Sequence, residues 1–116
     1  MKPQQPLHLL FVCSRNQWRS PTAEKVYQDD PRVQVRSRGT TRAAVRTITL
    51  ADIQWADAIL VMEPKHQKRL LADFPAVMRY KTIRVLDIPD EFQRMDPELV
   101  ELIVNAVEPV IGDLLG

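Results

Sequence analysis

The 116-residue sequence predicts an α/β fold: a single three-layer domain, residues 1–116, with a four-stranded parallel sheet in the order 2-1-3-4 and helices on both faces. Three observations lead there. Leu7 to Cys13 (LHLLFVC) is a nearly unbroken apolar run, the pattern of a strand buried on both faces. Strand-like and helix-like segments alternate along the chain, which implies right-handed crossovers and a parallel sheet. With 45% apolar residues, the chain fills one core and no more.

The elements follow in order. Pro3 and Pro6 bound a short arm before the first strand. Ser20-Pro21 reads as a helix cap followed by proline at the first helical position, and that helix should reach about Asp29 and stop before Pro31. Val33 to Ser37 alternates as a second strand, and Arg38 to Thr41 reads as a turn. Thr49 caps a short helix over Leu50–Ala56, and Ala58–Met62 is the third strand. Pro64 opens a helix that ends near Phe74-Pro75. Thr82–Leu86 is the fourth strand. Asp96-Pro97 repeats the cap-then-proline signal before Leu99, Leu102, Ile103, Ala106 and Val107, which recur at helical spacing. Pro109 should kink or end that last helix. The strand order 2-1-3-4 puts the topological switch beside the carboxyl end of the first strand, where Cys13 stands.

Charge and cysteine content narrow the function. Sixteen basic side chains nearly balance 15 acidic ones, and a net charge of +1 predicts neither a nucleic-acid nor a membrane partner. No run approaches the length of a membrane span, and the first residues lack a signal-peptide core. One cysteine rules out an internal disulfide or a cysteine metal cluster. The expectation is a cytoplasmic protein without metal or cofactor, with a monomer as the default.

The chemistry concentrates in Cys13-Ser14-Arg15-Asn16-Gln17-Trp18-Arg19-Ser20-Pro21, between a buried strand and a helix start. A loop entering a helix turns several backbone N–H groups inward, and the helix dipole adds positive charge. Such a nest binds a tetrahedral oxyanion and favours a thiolate at Cys13. Arg19 can fold its guanidinium over the loop and hold two phosphate oxygens. Ser20 is placed to donate to the sulfur, and Asn16 to tie the loop together. Trp18 suits either the pocket mouth or the core. Against this stands the ordinary lone cysteine, inert at the end of a buried strand.

Cys13, five intervening residues and then Arg19-Ser20-Pro21, placed at the first strand with Asn16 between, resemble the signature of low-molecular-weight protein tyrosine phosphatases. The likeness continues more weakly through Ser37-Arg38-Gly39-Thr40 and Trp55-Ala56-Asp57 into the last helix. It implies a cysteine-dependent phosphomonoester hydrolase acting on phosphorylated protein or a small phosphomonoester. Cys13 would attack phosphorus to give a phosphocysteine, with Arg19 as clamp. Ser14, Arg15, Asn16, Gln17, Trp18 and Ser20 would form the phosphate-binding loop. The sequence departs from the family at Arg15, where glycine is usual, and at Trp18, where a second cysteine often stands. The stretch between Gly39 and Leu50, which in the family carries part of the substrate wall, is much shorter.

Phosphoryl transfer also needs a proton donor for the leaving oxygen and a base for water. The family carries an Asp-Pro pair followed by an aromatic residue after the fourth strand. Here Asp90-Glu91-Phe92 keeps the distance from that strand, and Asp96-Pro97 keeps the literal pair. Asp90 is the expected general acid, with Phe92 as a possible substrate wall. Asp96 is the alternative acid, although it has a structural use as a helix cap. Three rivals share the fold. An arsenate reductase needs two further cysteines, and a sugar phosphocarrier lacks the arginine clamp. A catalytically weak phosphoresidue-binding module is the third.

Overall fold

In the computed structural model, which describes residues 5–116, the first strand decides the layout. Strand β1 (Leu7–Cys13) is buried from Leu9 onward, as a strand covered on both faces must be. It pairs in parallel with β2 (Val33–Gly39) on one side and β3 (Ala58–Val61) on the other. Strand β4 (Thr82–Val85) adds to β3, giving the order β2-β1-β3-β4. This is the predicted four-stranded parallel sheet.

Alternate residues of β1 face opposite layers. Leu9, Phe11 and Cys13 join a core with α1 (Arg19–Tyr27) and α5 (Pro97–Leu115). Leu10 and Val12 face α2 (Leu50–Trp55), α3 (Pro64–Asp73) and the one-turn α4 (Pro75–Met78), through Ile53, Leu70 and Met78. Helix α5 carries Leu99, Ile103, Val107, Val110 and Ile111 inward, each contributing about 1.5–3 kcal/mol by burial.

The structure differs from the sequence reading in several places. Strand β2 continues through Arg38 and Gly39, because the pairing with β1 runs to Cys13 opposite Gly39. Helix α1 begins at Arg19, so Ser20 is not its cap, and it ends at Tyr27, short of Asp29. Helix α4 follows α3 where no helix was expected. Leu102 is exposed rather than part of the buried stripe of α5. That helix also runs past Pro109, which lies on its exposed side.

The chain leaves β1 toward one face of the sheet and β3 toward the other. A crevice therefore opens between their carboxyl ends, bordered by the loop after Cys13 and the start of α3.

Candidate active site

The loop from Ser14 to Trp18 is held from outside and left open within. The carbonyls of Cys13, Ser14 and Arg15 accept from the backbone N–H groups of Thr40, Thr41 and Val45 at 3.0, 3.1 and 3.0 Å. None of the backbone N–H groups from Ser14 to Trp18 has an acceptor among the described residues. Gly39 makes this packing possible. A Cβ there would meet the Ser14 carbonyl oxygen at 2.6 Å and the Asn16 nitrogen at 2.9 Å.

Asn16 takes the left-handed conformation, φ 52°, which asparagine tolerates better than most residues. Its buried Nδ2 donates to the hydroxyls of Ser20 and Ser37, at 3.0 and 2.9 Å. Ser37 in turn donates to Glu24, which Arg46 also holds at 2.7 Å. The Ser20 oxygen accepts from Asn16 and lies 2.9 Å from Cys13 Sγ, and its proton can go to that sulfur or to the Arg38 carbonyl at 3.4 Å. Asn16 and Ser20 thus stand behind the loop.

Arg19 is 2% exposed. Its Nη1 donates to the Ile88 carbonyl at 2.8 Å and lies 3.3 Å from Glu63 Oε2, a charge contact without hydrogen-bond alignment. Its Nε sits 3.7 Å from Asp90 Oδ1 and has no hydrogen-bond partner among the described residues. Burial alone would raise the pKa of Glu63, but Arg19 outweighs it with help from Lys65, so the carboxyl stays below its ordinary range.

His66 lies behind the same loop and is almost fully buried. The Glu63 backbone N–H donates to its Nδ1 at 3.0 Å, which leaves the ring proton on Nε2. That proton points to the Ser14 hydroxyl, 2.9 Å away. Burial and then the Arg19 charge push the pKa of His66 down to about 4, so the ring is neutral.

These parts surround a cavity of about 320 Å3. Cys13, Ser14, Arg15, Gln17, Trp18 and Arg19 line it from the loop side. Asp90, Thr41 and Lys65 complete the wall. The two remaining sequence candidates lie elsewhere. Phe92 packs partly buried against the core between the sheet and α1 and α5, because the chain after Asp90 turns back over that core. Asp96 caps α5, accepting from the Glu98 N–H at 2.9 Å. The exposed aromatic at the cavity is Trp18, within the loop itself.

Sequence reasoning missed Thr41, Glu63, Lys65 and His66. Only the helix start at Pro64 was readable in that region.

No family model and no curated protein matches the sequence. Solved structures do match. The tyrosine phosphatase Wzb from Escherichia coli K30, in complex with phosphate, superposes with a TM-score of 0.76 at 19% identity, covering 95% of this chain and 99% of that one. A low-molecular-weight phosphotyrosine phosphatase from Vibrio cholerae gives 0.76 at 23% identity, with coverages of 94% and 97%. The chain has the low-molecular-weight tyrosine phosphatase fold. The fold also carries the YwlE arginine phosphatase from Geobacillus stearothermophilus, similar at a TM-score of 0.69 and 22% identity over 95% of this chain and 96% of that one. Among the described residues, no helix is long and apolar enough to cross a membrane.

Proposed function

We propose that the protein is a cysteine-dependent phosphomonoester hydrolase acting on phosphotyrosyl protein. One observation carries the reading: the Ser14–Trp18 loop, whose backbone N–H groups have no acceptor among the described residues, and Arg19, whose buried Nε has none either, line one cavity with Cys13. A buried cationic donor without an acceptor, as Arg19 Nε is, is rare, and together with the loop N–H groups it fits a dianionic phosphoryl group. The resemblance of fold to tyrosine phosphatases supports the same chemistry. Trp18 offers a flat apolar wall for an aryl leaving group.

In the first step Cys13 Sγ attacks phosphorus while the bond to the leaving oxygen breaks. Asp90 gives its proton to that oxygen, and the phosphoryl group stays on sulfur. Arg19 and the loop N–H groups hold the three phosphoryl oxygens through the transfer. In the second step Asp90, now a carboxylate, takes a proton from water as the water attacks phosphorus. The sulfur leaves with its charge stabilised by the Ser20 hydroxyl, and inorganic phosphate is released. The chemistry of the lone thiol suits a reducing compartment, and we place the protein in the cytoplasm.

The test is turnover of a small aryl phosphate and of phosphotyrosyl against phosphoarginyl peptides. Cys13→Ser should abolish hydrolysis and keep phosphate binding. Phosphate binding without turnover by the wild type would instead make the protein a phosphoresidue-binding module.

A further inference from the structure

The reaction cavity continues into a second, more open one of about 440 Å3. Ser14, Thr41 and Lys65 line both. Beyond them stand Thr40 from the end of β2 and Lys68 and Arg69 from α3. The lining holds three cationic side chains and no carboxylate. Arg69 is held by Asp73 at 2.7 Å, and Lys65 leans on Glu63 at 3.3 Å. Lys68 has no ion pair among the described residues.

Thr40 supplies a second and independent sign. It is only 8% exposed, and its backbone N–H is used on the Cys13 carbonyl at 3.0 Å. Its hydroxyl has no partner among the described residues. This hydroxyl and the Lys68 ammonium line the same cavity, two donors without an acceptor. His66 also lines this space, but its Nε2 proton is directed to Ser14.

We propose that this cavity is an anion subsite that takes an acidic side chain of a phosphopeptide, next to the phosphorylated residue. The proposal rests on the phosphatase reading and sharpens it from phosphotyrosyl protein in general to phosphoresidues with Asp or Glu beside them. Lys68 supplies the charge and Thr40 the short-range donor. Lys65, at the junction, faces both the phosphoryl group and the flanking carboxylate. Charges at such a rim act through attraction of the substrate, so the preference should weaken with salt.

The experiment compares two phosphotyrosyl peptides of equal length, one with Asp and Glu flanks and one with Asn and Gln. At low ionic strength the acidic peptide should show a kcat/KM about five- to tenfold higher, and the ratio should shrink as salt is added. Lys68→Glu should invert the preference and Thr40→Val should reduce it. Both variants should keep the wild-type rate on a small aryl phosphate. Equal handling of the two peptides by the wild type would overturn the subsite, as would a Lys68→Glu variant that slows both peptides alike.

Absence of aryl phosphate turnover would instead count against the phosphatase reading. In that event the same two peptides, bound to the Cys13→Ser protein and followed by fluorescence anisotropy, still give the ratio. Equal affinities there would sink the subsite on its own.

Discussion

His66 donates its Nε2 proton to the Ser14 hydroxyl across 2.9 Å, and this bond joins helix α3 to the loop that follows β1. The ring works as a neutral strut, since the Glu63 N–H fixes its other nitrogen as an acceptor. Protonation would put a second donor where the backbone already donates. Arg19, Lys65, Glu63 and Asp90 all act on the ring, but burial is the largest influence and holds its pKa near 4.

A pH dependence of stability follows. Unfolded His66 binds a proton near pH 6.5, while the folded ring does so only at about 4. Between those values the unfolded state holds more protons, so stability falls as the pH is lowered through the window and is complete above it. The contribution is of order 3 kcal/mol across the window. Thermal melts of the wild type and His66→Gln from pH 7 to 4 should show a steeper decline for the wild type. Parallel curves would remove the neutral strut.

Gly39 has no room for a side chain. Alanine there would press its methyl on the Ser14 carbonyl and the Asn16 nitrogen, and both are backbone atoms that cannot swing away. Gly39→Ala should cost about 1–3 kcal/mol of stability and lower aryl phosphate turnover more than tenfold. Denaturant midpoints with kinetics on the same sample check both. A variant that lost stability but kept its rate would show that the loop tolerates the shift.

Those two residues show where sequence reading succeeds and where it stops. The order of the sheet and the place of Cys13 were legible, because a doubly buried strand has a distinct apolar pattern and α/β connections obey fixed handedness. Asp90 was legible from its distance to a strand, and it lines the cavity. For Phe92 the sequence leaves substrate wall and simple packing both open, because the path of a coil segment has no periodicity to read, and it packs against the core. His66 and Glu63 cap a helix start locally, but their contacts with the loop, to Ser14 and Arg19, span 44 or more residues, and nothing local announces those. Ser20 was mistaken for a cap because its hydroxyl is drawn to Cys13 and Asn16 instead.

Arg19 should be irreplaceable through its shape. Lysine keeps the charge, but a single ammonium cannot serve the Ile88 carbonyl and the cavity together as the guanidinium does. Arg19→Lys should reduce kcat by about 10²-fold or more and weaken inhibition by inorganic phosphate. Near-wild-type values of both would withdraw the clamp.

The last prediction separates the two acids. Asp90 lines the cavity with Oδ1 3.7 Å from Arg19 Nε, whereas Asp96 uses its carboxylate to accept from the Glu98 N–H. A general acid matters most when the leaving oxygen is strongly basic. Asp90→Asn should therefore slow phenyl phosphate by about 10²–10⁴-fold, and a nitrophenyl phosphate, whose anion departs without help, far less. Asp96→Asn should leave both rates unchanged and shift the melting temperature little, since asparagine caps a helix about as well as aspartate. Measuring both variants on both substrates, with melts, tells chemistry from folding. A leaving-group effect that followed Asp96 and spared Asp90 would demand that the α5 start move into the cavity during turnover, and Asp90 would then be reduced to a neighbour of the Arg19 guanidinium.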